Sequence, residues 1–142
     1  MPTSPRTYKV NPVRPSAGAV VTEYLTAYLS GDIARAQSMV SADFSFRAPL
    51  IEVTATKDVF FAGSDRKAGY IRAFRILRQW ESDDEVSTLY EIDVETSAGT
   101  ASLLMHEWHT ISAGQIASSV MLFDTAASAA MLLHDALAAP ST

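Results

Sequence analysis

The sequence has no cysteine. Disulfides, thiolate nucleophiles and thiolate metal sites are therefore excluded, and a reducing compartment, the cytoplasm, is the expected location. No apolar run approaches the roughly 18 to 20 residues that a membrane span needs. The opening stretch MPTSPRTYKVNPVRPS lacks the apolar core of a secretory signal. Charge is sparse, at 19% of residues, and the formal net charge is -5. A nucleic-acid partner, which calls for a basic face, is not expected, nor is a surface that seeks anionic lipid. Histidine is scarce too, with three in the chain.

What is present is apolar. Hydrophobic residues make up 48% of 142 positions, enough for one packed core. The first 15 residues hold Pro2, Pro5, Pro12 and Pro15 with Arg6, Lys9 and Arg14. They read as a flexible Pro-rich arm, with the domain proper over 16–142. Ser16 is a plausible N-cap for a helix whose apolar face is Val20, Val21, Tyr24, Leu25, Tyr28 and Leu29. Gly31 ends it and Asp32 caps a second helix over Ile33–Val40. DFSFRAPL alternates as a strand and stops at Pro49.

After Ser64 the spacing predicts a third helix. Tyr70, Ile71, Phe74, Ile76 and Leu77 would form its buried side, and Arg66, Lys67, Arg72, Arg75 and Arg78 a solvated basic side. Three strands follow, EVSTLYEIDVET, ASLLMHEWHTI and QIASSVMLFD, with turns at Ser97–Thr100 and Ser112–Gly114. The Ala-rich end, which contains His134, reads as a terminal helix. The order implies an α+β fold with helices packed on the concave face of a curved, mostly antiparallel sheet. A pocket forms where helices and sheet diverge.

The segment HEWH invites comparison with the zinc motif H-E-x-x-H. His106 and His109 are three apart in a strand and point to opposite faces, so they cannot share an ion. No metal and no cofactor is expected. One face of this strand carries Leu104, His106, Trp108 and Thr110, and the other Leu103, Met105, Glu107 and His109. Both mix apolar and polar groups, so alternation alone leaves the inward face open. A sheet apolar on both sides implies a covering subunit, hence a homodimer.

YLTAYLSGDIARAQSMVSADFSFRAPL, FFAGSDRKAGYIRAF and LLMHEWHTISAGQIASSVMLFD together resemble the nuclear-transport-factor-2-like superfamily, in its SnoaL-like polyketide cyclase and ketosteroid isomerase branch. Gly31-Asp32, Ala42-Asp43-Phe44, Phe61-Ala62-Gly63, Gly114–Ile116 and Phe123-Asp124 carry the likeness, which runs from Ser16 to the end. It implies a cone-shaped α+β barrel, an architecture that hosts many activities. The isomerase mechanism is a worked case of carboxyl tuning. An ungapped reading places its tyrosine at Tyr24, its base aspartate at Ala48 and its second acid at His106. The tyrosine is kept, the base is lost and the second acid is replaced by histidine, so the chain is not expected to be that isomerase. The Asp–Arg–Asp triad of limonene epoxide hydrolases would take Asp93 and Asp124 as its aspartates but places its arginine at Glu91, and that chemistry is not expected either. The resemblance turns His106 and Trp108 inward, with Phe44, Phe46 and Ala48, and with Ala117, Ser119, Met121 and Phe123.

The resulting expectation is a pocket enzyme doing cofactor-independent acid/base chemistry on a small hydrophobic carbonyl compound. Isomerisation, cyclisation and dehydration are the reaction classes. His106 would be the acid/base, Tyr24 a hydrogen-bond donor, and Asp124 an orienting or catalytic acid or a helix cap. Phe46, Tyr90, Trp108, Met121 and Phe123 would bind the substrate. The alternative is a non-catalytic ligand-binding or protein-interaction domain of the same fold.

Overall fold

A computed structural model of the chain describes residues 15–49 and 54–124. The expected arm, the terminal helix and His134 lie outside the described residues. Ten elements are present: α1 (Ala17–Leu29), α2 (Ile33–Ser38), β1 (Val40–Arg47), β2 (Ala55–Thr56), α3 (Lys57–Phe61), α4 (Ser64–Gly69), β3 (Ile71–Ser82), β4 (Glu85–Thr96), β5 (Gly99–Ser112) and β6 (Gln115–Phe123). The strands form one curved sheet in the order β2-β1-β6-β5-β4-β3. Among the described strands only the β1–β6 pair is parallel. The helices pack on its concave face. No described helix is long and apolar enough to cross a membrane.

The first two helices start where their caps place them. Ser16 Oγ accepts from the Ala19 N–H at 3.1 Å, and Asp32 Oδ1 from the Arg35 N–H at 3.2 Å. Val21, Tyr24 and Leu25 of α1 are buried against the sheet. The short helices bring Phe60 and Phe61 against Phe44 and Phe46 of β1. The rings of Phe46 and Phe60 lie 4.4 Å apart, and Tyr28 joins them from α1 at 5.6 Å from Phe60.

The expected third helix is corrected. It stops at Gly69, and Ile71–Ser82 is a twelve-residue strand paired along β4. The register shifts between Ile71 and Ala73 and again between Ile76 and Arg78, so Arg72 and Leu77 are bulged. Each bulge adds one residue and reverses which face the next side chain meets. Ile71, Phe74 and Ile76 thereby reach the concave side at spacings of three and two. Two bulges thus reproduce the apolar rhythm of a helix. Two of the arginines assigned to a solvated helical face, Arg72 and Arg75, become cross-strand partners instead. Arg75 pairs with Glu91 and with Asp93, whose carboxyl it and the Ser102 hydroxyl hold down at about 2.

The β5–β6 hairpin turns through Ala113 and Gly114, both left-handed, with φ of 50° and 76°. Such a turn matches the twist of the strands but costs a residue with a Cβ about 1 kcal/mol at the first position. Asparagine tolerates that region better. Ala113→Asn is expected to stabilise the protein by about 0.5 kcal/mol, measured by urea denaturation. A loss of stability would contradict this turn geometry.

Candidate active site

The concave face of the β4–β5–β6 meander carries a buried polar cluster. Glu107, on β5, is 2% exposed. Tyr90 from β4 donates its hydroxyl to Glu107 Oε1 at 2.6 Å, and Ser119 from β6 donates to Oε2 at 2.6 Å. His109, two residues along the same face, is 0% exposed and holds Nε2 2.8 Å from Oε2. That approach brings the charges together but is poorly aligned for a hydrogen bond. Among the described residues neither ring nitrogen of His109 has a well-formed partner. The edge of its ring meets Tyr24 of α1, with centroids 5.6 Å apart and planes at 74°.

These neighbours set the charge state. Burial raises the Glu107 carboxyl, but the opposing charge and contact of His109, with the Ser119 and Tyr90 hydroxyls, bring it below the ordinary value. The carboxyl is therefore held ionised. Tyr24 and Tyr90 move the other way, raised by burial first and by the Glu107 charge second. Tyr28, whose hydroxyl donates to Ser64 Oγ at 3.0 Å, is pushed up to about 12, chiefly by burial. All three phenols stay protonated and are donors at neutral pH.

Over this cluster lies a cavity of about 120 Å³. That is well above the roughly 10–15 Å³ that a single water needs, so it has room for a small ligand. Tyr24, Leu25, Tyr90, Met105 and Glu107 form its buried floor. Half-buried Ala48, Pro49, Lys67, Ile71 and Phe123 form its rim. Phe46, Phe60 and Met121 complete the apolar wall. The described residues hold no group of three or more histidines and carboxylates able to bind a metal.

Of the residues expected from sequence, Tyr24, Phe46, Tyr90, Met121 and Phe123 line this cavity. His106 and Trp108 do not. His106 lies on the convex face in contact with Ser87, and Trp108 is 45% exposed there. The reason is one residue in β6. The Ala113–Gly114 turn pairs Ser112 with Gln115 and Ile111 with Ile116, but Thr110 then pairs with Ser118. Ala117 is the extra residue of a bulge. It couples Ser119 and Met121 to His109 and Glu107, where an unbulged hairpin would couple them to Trp108 and His106. Asp124 ends β6, exposed and outside the cavity lining. Its proposed capping partner lies outside the described residues. The sequence reading placed Glu107 and His109 on the outer face and Lys67 in solvent, and so missed all three.

No protein-family model and no curated protein matches the chain. Solved structures do. A hypothetical protein with a ketosteroid isomerase-like fold from Catenulispora acidiphila, in complex with trimethylamine, is 15% identical. The match covers 85% of this chain and 97% of that one, with a TM-score of 0.67. A loop-truncation variant of IdmH is 13% identical over 82% of this chain and 98% of that one, at 0.70. A nuclear-transport-factor-2-like protein of unknown function from Cytophaga hutchinsonii is 15% identical over 77% and 90%, at 0.62. The chain therefore has the nuclear-transport-factor-2-like, ketosteroid isomerase-like fold.

The buried pair makes a prediction about acid stability. The Glu107 carboxyl is lowered in the folded state, so its contribution is complete above the ordinary glutamate range of about 4.3 and is lost as pH falls through the lower folded value. Glu107→Gln is expected to cost about 3 kcal/mol at neutral pH, because it strands a buried partner. The gap between wild type and variant should narrow as pH falls from about 6 to about 3 in denaturant titrations. A gap independent of pH would mean that the carboxyl is not ionised in the fold.

Proposed function

We propose that the protein takes a small, largely apolar carbonyl compound into the cone and moves a proton on it without a cofactor. One observation carries the reading: an ionised carboxylate, Glu107, opens onto the floor of an otherwise apolar cavity beside protonated Tyr24. A carboxylate has about four lone-pair sites. Tyr90 and Ser119 occupy two by hydrogen bonds, and the His109 ring, against Oε2, blocks a third. The remaining site accepts a proton from the carbon next to the carbonyl, while the Tyr24 phenol donates a hydrogen bond to the enolate oxygen. His109 balances the Glu107 charge from behind and orients it. His106, on the convex face, takes no part in this scheme. The likeness to a fold neighbour that holds trimethylamine supports small-molecule binding in the cone.

A second reading is binding without chemistry. The same saturation of Glu107 favours it, since a carboxylate held below its ordinary value is a weak base. β-Tetralone, a compact aromatic ketone with exchangeable α-protons, separates the two in heavy water by proton NMR. If the proton-transfer reading holds, the protein accelerates α-deuteration, and Glu107→Gln and Tyr24→Phe each reduce the rate by about 100-fold. Saturable binding with no acceleration supports the second reading.

The convex face supports a homodimer. Trp80, Leu104, Trp108 and Leu122 are 49%, 54%, 45% and 55% exposed. Trp80, Trp108 and Leu122 lie on β3, β5 and β6, and the register aligns Trp80 and Trp108 across Ser87 of β4. An apolar patch of this kind on a sheet is commonly covered by a second copy. Trp108→Glu, which leaves the cavity lining intact, is expected to give a monomer by sedimentation velocity where the wild type is a dimer. A monomeric wild type would overturn this assembly.

A further inference from the structure

We infer that the ligand is an amphiphilic anion, seated with its carboxylate or equivalent acidic group at Lys67 on the rim and its apolar body toward the tyrosines. The inference deepens the pocket reading above and rests on it. Lys67, on α4, lines the cavity and is half-buried. Among the described residues no carboxylate pairs with it. Each ion pair present joins other groups: Arg35 with Glu23, Arg72 with Glu95, Arg75 with Glu91 and Asp93, and His109 with Glu107. On its own helix the neighbouring charges are Arg66, of the same sign, and Asp65, which forms no ion pair with it and acts on Tyr28. Burial first, and Arg66 second, lower the Lys67 ammonium from its ordinary value. A cation at the edge of an apolar hollow, with no counterion among the described residues, is relieved by an anion that the hollow also receives.

The opposite end of the cavity fixes the orientation. Glu107 is anionic and already engaged by three partners on the floor. A ligand anion placed there would meet a like charge in a poorly solvated site. At the rim it meets Lys67 and remains in reach of water. The cavity thus has at its opening a cation with no ion-pair partner among the described residues, and at its base a carboxylate already paired with His109. Its wall between the two is apolar, formed by Phe46, Phe60, Ile92, Leu103 and Met121. A neutral carbonyl carried on the buried part of such a ligand would lie near Tyr24.

Octanoate and 1-octanol test this, because they share a chain and differ in charge. Binding is read by isothermal titration calorimetry at neutral pH on the full chain, with folding of each variant checked by circular dichroism. Octanoate is expected to bind about tenfold more tightly than octanol, a preference that Lys67→Met removes and Lys67→Arg keeps. Equal affinities in the wild type would overturn the anion assignment and leave the pocket reading standing. A preference that survives in Lys67→Met would also overturn it, by placing the anion elsewhere. Binding of neither compound would remove the pocket reading and this inference together.

Discussion

A carboxylate in an apolar interior is among the least tolerated groups a fold can contain, and the concave face of this sheet is organised around one. Removing Glu107 from water costs several kcal/mol unless opposite charge and donors surround it. The compensation comes from three adjacent strands: Tyr90 on β4, His109 on β5 itself and Ser119 on β6. Tyr90 and Ser119 reach Glu107 only in the observed register, while His109 meets it along the same strand. A slip of one residue in any pair would send a donor to the convex side and leave the carboxylate uncompensated. The polar cluster thus specifies the alignment of the meander, and Tyr24 on α1 closes over the imidazole edge. Site and fold are solved by the same contacts.

That coupling explains what could be read in the sequence and what could not. Helices α1 and α2 and strands β4, β5 and β6 follow from local signals, caps, alternation and turn residues, and they fall where those signals point. The aromatic wall follows too: Tyr24, Phe46, Tyr90, Met121 and Phe123 reach the cavity. The errors arise at bulges. Arg72 and Leu77 give a strand a helical rhythm, and Ala117 turns β5 over relative to β6. A bulge is one residue whose cause is long-range pairing, so local periodicity carries no trace of it.

The facing of β5 is nonetheless legible from its neighbour β4. In EVSTLYEIDVET one face is Val86, Thr88, Tyr90, Ile92 and Val94, and the other holds Glu85, Glu91, Asp93 and Glu95. There is no ambiguity about which is buried. The turn to β5 has an even number of residues whether it is taken as two or four, and an even loop preserves facing. Met105, Glu107 and His109 then share the side of Tyr90, as the β4–β5 pairing has them. Polarity argued against this choice, since it buries a glutamate and a histidine and exposes a tryptophan. A local scale treats each polar group as a cost, whereas a pair and its donors share that cost.

The same inversion has a consequence on the outside. With the charged pair turned inward, β5 presents Leu104, His106 and Trp108 to the convex side, where Leu122 and Trp80 extend the surface. Polar inside and apolar outside is the reverse of what a strand facing water should show. The inner half of the inversion is satisfied by Tyr90, Ser119 and His109 within the chain. Among the described residues the outer half has no such answer, because apolar area is relieved only by covering it. One strand therefore ties the two properties together: whatever keeps Glu107 and His109 in the core also keeps Trp108 at the surface. A substitution that reversed the facing of β5 would remove the cavity's charged floor and the apolar outer patch in a single step.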